Sequence, residues 1–229
     1  LDTKGGMPSL VAANIDGSKR KRIFKIDSAS YQVLHLLPDN PKKILISKRY
    51  FKDGGAVKLQ LVDIYTGKQT YYPDQPKDDV FGIGVDIDGE PRIGFKYKEE
   101  NDDELGKGKL TAHYKPKKGG SWKVLDLSAF KYKPGDRLNV AGFSKDGNIA
   151  YITSNSQTKT AAIYSFNMRT NDIIKVGHEE TVDVDNLVFG RDGEAIGANF
   201  MPNYPKTIFF NETHQDVQVL KALKQAFKY

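Results

Sequence analysis

A serine nucleophile would be the most direct route to catalysis, because serine hydrolases hold it in a G-x-S-x-G turn between a strand and a helix. The nearest match, Gly142-Phe143-Ser144-Lys145-Asp146, lacks the closing glycine and lies in a predicted hairpin turn. We therefore interpret Ser144 as a turn residue. The chain contains no cysteine, which excludes thiolate nucleophiles, thiolate metal ligands and disulfides.

Metal and cofactor sites are not predicted either. Asp86 and Asp88 can share one face of a strand, as can Asp183 and Asp185, because residues two apart point the same way. Neither pair completes the calcium loop of an EF-hand, so we interpret both as turn-capping and hydrogen-bonding residues. The Gly82-Ile83-Gly84 segment lacks the third glycine of a dinucleotide loop. The histidines, none of which forms an H-x-x-x-H pair, are His35, His113, His178 and His214.

Three arginines are the candidate substrate or interface residues: Arg49, Arg92 and Arg137. A guanidinium group can pair with a peptide carboxylate through two parallel hydrogen bonds. The alternative for each of them is an ion pair at the protein surface. No catalytic residue is predicted.

The charge balance argues against two classes of partner. Lysine and arginine number 35 against 29 acidic residues, a net charge of +6, and the basic residues are spread through the turns. Nucleic-acid-binding proteins cluster their charge on one face, so we expect no nucleic-acid partner. The basic run 19–22 and the turn 115–118 could bind a polyanion, but a solvated hairpin tip is the favoured interpretation of the first. No apolar run approaches the ~20 residues of a membrane-spanning helix, so no membrane partner is expected.

The elements that carry these residues are short strands. Residues 138–176 divide into four antiparallel strands, Asn139–Phe143, Ile149–Ser154, Ala161–Asn167 and Asp172–Val176. Asp-Gly in the first turn is a strong hairpin signal, because glycine supplies the positive φ that a tight turn needs. The same first-turn signal recurs at Asp39-Asn40, Asp88-Gly89, Asp146-Gly147 and Asp192-Gly193.

This recurrence predicts an all-β fold, a partial β-propeller of about four four-stranded antiparallel blades with a half blade at the N-terminus. We expect one propeller segment over 1–229. Its predicted parts are a half blade at 1–27, blades at 28–78, 79–133, 134–180 and 181–220, and a short helical tail at 221–229.

Four further expectations concern the last predicted blade, the loop within the blade at 79–133 and the ends of the chain. The fourth strand of the last blade is predicted over Val217–Leu220, and one or two helical turns over Val219–Phe227, from the spacing of Leu220, Leu223 and Phe227. The acidic excursion 98–107 is predicted to be a loop. Edge strands left open at both ends of such a segment predict an edge-mediated dimer.

Several blade segments together resemble a known family. They are LLPDNPKKILIS, VDIYTGK, DIDGEPRIGF, GGSWKVL, GFSKDGNIAYITSNSQTKTAAIYSFNMRT, VDVDNLVFGRDGEAIGANF and LKALKQAF. The chain resembles the N-terminal propeller of bacterial prolyl oligopeptidase-family serine peptidases, in the dipeptidyl- and acylaminoacyl-peptidase branch. In that family the propeller stands over an α/β-hydrolase domain and limits which peptides reach its catalytic residues.

The resemblance implies a non-catalytic segment, because no motif that carries the family's catalytic residues is present. Its implied partners are a C-terminal hydrolase domain absent from this chain and the peptide substrate of the parent enzyme. The alternative is a protein-interaction propeller resembling the periplasmic component of the Tol system. The periplasm and the cytoplasm of a bacterium both remain open as compartments.

Overall fold

The structure is a computed structural model, and it describes residues 10–23, 29–50, 56–77, 79–99 and 108–227. Most of the acidic excursion predicted over 98–107, and part of the predicted half blade, lie outside the described residues. The chain forms two compact units, residues 1–81 and residues 82–229. Each unit is described by itself.

The N-terminal unit is built from a short hairpin and a four-stranded sheet. In the hairpin, β1 (Val11–Ala12) pairs with β2 (Lys21–Arg22). The core of the unit joins hairpin and sheet, because Ile23, which follows β2, packs with Ile44, Ile46 and Val62 of the sheet. The sheet is antiparallel in chain order, with β3 (Ala29–His35), β4 (Lys43–Tyr50), β5 (Val57–Asp63) and β6 (Gln69–Tyr71).

The C-terminal unit contains three more antiparallel sheets whose strands follow chain order. The first has β7 (Phe81–Val85), β8 (Pro91–Glu99), β9 (Gly108–Tyr114) and β10 (Lys123–Asp126). The second has β11 (Leu138–Phe143), β12 (Ile149–Ser154), β13 (Ala162–Asn167) and β14 (Ile173–Gly177). The third has β15 (Val184–Phe189), β16 (Ala195–Phe200) and β17 (Lys206–Phe209), and helix α1 (Gln215–Ala226) follows it.

The first turn of each of these three sheets has the predicted Asp-Gly geometry. Gly89, Gly147 and Gly193 have φ values of +81°, +66° and +84°, in the left-handed region that favours glycine. Asp146 Oδ1 accepts the backbone N–H of Asn148 at 3.0 Å, and Asp192 Oδ1 accepts that of Glu194 at 3.1 Å. A short carboxylate that satisfies its own turn in this way explains why aspartate recurs there.

Apolar residues facing neighbouring sheets form the core of the C-terminal unit. Tyr151 and Ile163 of the second sheet cluster with Ala198 and Phe200 of the third. The Tyr114 ring on β9 lies 5.4 Å from the Phe166 ring on β13, edge to face. The predicted all-β class with four-stranded antiparallel sheets is confirmed.

The fourth strand predicted over Val217–Leu220 is wrong, because those residues belong to α1. The His214 ring begins the helix by accepting the N–H of Asp216 at 3.1 Å, and the Asp216 carboxylate lies in the first turn, where the helix dipole favours it. Good helix formers from Leu220 to Ala226 continue the helix. The helical turns predicted over Val219–Phe227 are confirmed, and the helix begins four residues earlier.

Candidate functional site: two grooves at the ends of β11 and β15

The first strands of the second and third sheets of the C-terminal unit lie side by side. A groove opens at each end of this strand pair. We call the groove at the C-terminal ends of β11 and β15 the apolar groove, and the groove at their N-terminal ends the polar groove. The residues that line them were only partly predicted as site residues.

The apolar groove has a volume of about 300 Å³. Ile87 and Phe189 supply its most exposed apolar side chains, 60% and 48% accessible. Gly142 lets the walls approach, since a Cβ there would lie 3.0 Å from Leu187 Cδ1 and 3.2 Å from Phe189 Cζ. The full lining is Val85, Asp86, Ile87, Gly142, Phe143, Ser144, Lys145, Phe189 and Gly193.

A buried ion pair supports one wall of this groove. Arg92 Nη1 donates to Asp86 Oδ2 at 3.0 Å, and the two side chains are 2% and 3% exposed. Arg92 Nη2 donates to the backbone oxygens of Lys115 and Gly147, at 3.1 and 3.0 Å. Because Gly147 lies in the β11–β12 turn, Arg92 ties the first sheet to the second. The predicted substrate or interface role of Arg92 stays a prediction, with both Nη atoms already bonded inside the protein.

A second buried cation holds the next turn of the first sheet. The fully buried Lys115 side chain donates to Glu90 Oε1 at 2.8 Å, and its Nζ lies 5.1 Å from the Trp122 ring centroid. Both Glu90 oxygens also accept the N–H of Gly119, at 2.9 and 3.0 Å. Buried charges that are paired and hydrogen-bonded in this way fix a turn in one position.

The polar groove has a volume of about 350 Å³. Arg137 Nη1 pairs there with Asp183 Oδ2, and the arginine side chain remains 62% exposed. The backbone at this end is anchored, because Arg137 N–H donates to Asn155 Oδ1 and Ala161 N–H donates to Asp183 Oδ1, both at 2.7 Å. The full lining is Arg137, Asn139, Ala141, Thr153, Ala161, Asp183, Val184, Asp185, Asn186 and Leu187.

The three predicted arginines therefore occupy three different environments. Arg137 is exposed in the polar groove and keeps guanidinium donors for a ligand. Arg92 is buried beneath the apolar groove. Arg49 is exposed near the end of β4 in the N-terminal unit, where its backbone lies opposite Val57 of β5 in the antiparallel sheet. The predicted binding roles of Arg49 and Arg137 stay predictions.

Ser144 has the bonding pattern of a turn residue. Its Oγ donates to Asp146 Oδ1 at 2.7 Å and accepts the N–H of Ile149 at 3.0 Å. His178 bonds the Thr160 hydroxyl at 2.9 Å. Over the described residues, no group of three His, Cys, Asp or Glu side chains is arranged to hold a metal ion. Among those same residues, no helix is both long and apolar enough to cross a bilayer.

Ile87 and Phe189 were not predicted as site residues. An isoleucine between two turn aspartates, as in Asp86-Ile87-Asp88, places an apolar side chain in a polar turn and was the available signal. Phe189 offered none, because an aromatic residue at a strand end is an ordinary core residue in a sequence of this kind.

Comparison with known proteins relates this chain to solved structures only. No protein-family model matches the sequence, and no curated protein matches it. TolB from Acinetobacter baumannii is similar in structure, with a TM-score of 0.52 and 15% identity over 87% of this chain and 45% of that chain. The tricorn protease matches with a TM-score of 0.43 and 11% identity, over 89% of this chain and 24% of that chain.

At this identity the likeness to TolB concerns the fold alone. The chain spans less than half the length of either structure. TolB has a β-propeller fold, and the sheets described above have the strand order of propeller blades. The predicted propeller class is therefore confirmed, while membership of the prolyl oligopeptidase family stays a prediction.

Proposed function

We propose that this chain is a non-catalytic propeller module that binds an extended polypeptide along β11 and β15. One observation carries the proposal: two grooves of opposite chemistry lie at the two ends of the same strand pair. An acidic group of the peptide would occupy the polar groove beside Arg137. An apolar side chain would occupy the apolar groove between Ile87 and Phe189.

The combined length of the two grooves fits such a ligand. The grooves follow one another along β11, which has six residues and, at ~3.3 Å per residue, is about 20 Å long. An extended peptide of about six residues spans the same length. Asn139 and Ala141 line the polar groove and are exposed on β11, and their small side chains leave room for a peptide backbone.

The polar groove and the apolar groove would contribute differently to peptide binding. Arg137 supplies charge-assisted, bidentate hydrogen bonds to a carboxylate, in exchange with Asp183, which orients the peptide. The apolar side chain of the peptide buries apolar surface against Ile87 and Phe189. This burial gains ~25 cal/mol per Å² and provides most of the affinity. The proposal assigns no bond making or breaking to any residue of the chain.

A second candidate is an access screen for a peptidase, in which this same face limits the peptides that approach a hydrolase domain. It is favoured because the segments that resemble prolyl oligopeptidase-family propellers line the apolar groove. These are DIDGEPRIGF, which contributes Asp86 and Ile87, and GFSKDGNIAY, which contributes Gly142 to Lys145. A downstream G-x-S-x-G motif in the gene would support this candidate over a stand-alone binding module.

Fluorescence anisotropy with labelled hexapeptides tests the proposal. The probes carry phenylalanine at one end and glutamate at the other, in both orders, with glutamine in place of glutamate as the control. We expect Phe189→Ser to weaken the binding of every probe and Arg137→Gln to weaken the binding of the glutamate probes only. Arg169→Gln changes an exposed turn residue and should leave the binding of all probes unchanged. Equal binding by all three variants, or hydrolysis of dipeptidyl or acyl-peptide substrates by the chain, would overturn it.

A further inference from the structure

The third sheet of the C-terminal unit has an open edge at β17. In each of the three four-stranded sheets the third strand pairs with a fourth, as β5 does with β6, β9 with β10 and β13 with β14. Within the described part of the chain, β17 pairs only with β16, and α1 follows where a fourth strand was expected.

Burial also distinguishes β17 from its counterparts. β5, β9 and β13 each bury four residues, whereas β17 buries none. The buried third strands are thus those with a fourth strand beside them. Thr207, Ile208 and Phe209 of β17, which has no fourth strand beside it, are partly exposed.

The pairing of β17 with β16 shows which backbone groups point outward. Phe210 N–H donates to the Ile196 backbone oxygen at 2.9 Å, so it faces β16. Backbone groups alternate in direction along an antiparallel strand, so Thr207 and Phe209 direct their N–H and C=O groups away from β16. An edge of this kind is a template for one more strand.

We propose that β17 binds an extended segment of a partner protein, which adds to the sheet as an antiparallel fourth strand. The established fourth strands on the same edge of the other sheets give the geometry of the occupant. Main-chain bonds to Thr207 and Phe209 hold the added strand.

The two faces of the sheet determine the side chains of this strand. Ile208 and Phe210 pack against the apolar cluster of Tyr151, Ile163 and Phe200, so alternate residues of the added strand extend that cluster and are apolar. The other face has positive charge, because Lys224 of α1 lies 5.8 Å from the Phe209 ring centroid and Lys221, which also pairs with Glu212, lies 6.0 Å from it. The residues that face α1 are therefore acidic.

The same lysines disfavour a second copy of this chain as the occupant. Two copies paired through β17 would each bring Lys221 and Lys224 to the same face of the joined sheet, where like charges repel. A partner strand that alternates valine with glutamate satisfies both faces.

Amide hydrogen exchange and a designed peptide test this proposal. The probe is an acetylated and amidated peptide of alternating valine and glutamate, and the control peptide has lysine in place of glutamate. Without peptide, Thr207 and Phe209 amides should exchange rapidly, while the amide of Ala112, which faces β10, is protected. Saturation with the glutamate peptide should protect Thr207 and Phe209, and the lysine peptide should bind at least about tenfold more weakly.

A pair of variants separates the backbone bond from the side chain. Thr207→Pro removes an outward N–H without breaking the ladder with β16, and should weaken binding of the glutamate peptide by about tenfold. Thr207→Val also loses the 2.8 Å bond from Thr207 Oγ1 to Asn199 Oδ1 but keeps the N–H, and should bind as the unchanged chain does.

Three results would overturn the proposal. The first is slow hydrogen exchange of the Thr207 and Phe209 amides in a dilute solution of the chain without peptide. The second is equal binding of the glutamate peptide by Thr207→Pro and the unchanged chain. The third is protection that grows with the concentration of the chain and accompanies a dimer in sedimentation, which would assign the edge to a second copy.

Discussion

Each groove has an arginine–aspartate ion pair, but one pair is buried and the other is exposed. Beneath the apolar groove, Arg92 and Asp86 are 2% and 3% exposed, and neighbouring backbone oxygens complete the arginine's hydrogen bonding. In the polar groove, Arg137 and Asp183 are 62% and 37% exposed. Burial makes the first pair a support for the wall of a groove, and exposure makes the second pair part of a binding surface.

The difference in burial between the two ion pairs determines how much each contributes to stability. Removing one partner of a buried pair leaves an uncompensated charge and costs ~3–5 kcal/mol. An exposed pair contributes ~0–1 kcal/mol, because water and salt screen it. The two pairs should therefore respond very differently to mutation.

Arg92→Ala should reduce the free energy of unfolding by ~3–5 kcal/mol, because Asp86 and the backbone oxygens of Lys115 and Gly147 lose their donor. Urea denaturation monitored by tryptophan fluorescence measures this, since Trp122 lies over Lys115 in the same network. Arg137→Ala is the matched control and should lose less than ~1 kcal/mol. Similar losses for the two variants would contradict the assigned difference between the pairs.

Gly142→Val should reduce the free energy of unfolding by ~1–3 kcal/mol, through overpacking against Leu187 and Phe189. The added side chain would also fill the apolar groove, so binding of the phenylalanine-ended hexapeptides should be lost. Ala129→Val is the control, because Ala129 is exposed and lies outside both grooves. Unchanged peptide binding by Gly142→Val would remove the apolar groove from the account.

Arg137→Gln should change stability little and peptide selectivity more. Loss of a charge-assisted bond costs ~1.5 kcal/mol, so the preference for glutamate-ended over glutamine-ended hexapeptides should fall about tenfold. Titration calorimetry with both probes measures it. An unchanged preference would mean that Asp183 keeps Arg137 fully occupied.

Acid should loosen α1 from the β15–β16 turn, which borders the apolar groove at Gly193. The hydrogen bonds from Arg191 lower the pKa of the Asp216 carboxyl below its usual value. A lowered folded-state pKa contributes stability that is present above the unfolded value of about 4 and is lost as pH falls through the folded-state pKa. NMR titration should show the Asp216 carboxyl with a pKa below its usual value, and closer to that value in Arg191→Gln, which loses the side-chain bond but keeps the backbone bond. An ordinary pKa for Asp216 in the unchanged chain would contradict the contact between Asp216 and Arg191.

Sequence patterns predicted the sheets well because turn chemistry is local. Asp146-Gly147 and Asp192-Gly193 each contain the carboxylate and the positive-φ residue of their own turn, so no distant contact is needed to recognise them. The order of strands in each sheet follows from these hairpins.

The end of the chain was predicted less well because two local patterns compete there. Val217 and Val219 favour a strand, while the residues from Leu220 onward favour a helix. The His214 cap and the Arg191–Asp216 contact decide in favour of the helix, and the second of these joins residues 25 positions apart. A contact between distant positions leaves no signal in a local pattern.

The candidate site was predictable only in part. Arg92 and Arg137 are equally plain arginines in the sequence, and their difference arises from whether a neighbouring sheet covers them. Gly147, whose backbone oxygen binds Arg92, is 55 positions away from it. The apolar groove joins strand ends from three sheets, so Ile87 and Phe189 could be brought together only by the tertiary structure.

NMR chemical-shift mapping with one hexapeptide, phenylalanine at one end and glutamate at the other, tests the central claim most directly. The account predicts that the amides of Asn139 and Ala141 shift together with those of Ile87 and Phe189, at a common dissociation constant. Shifts confined to one groove, shifts elsewhere in the chain, or no shifts at millimolar peptide would contradict it.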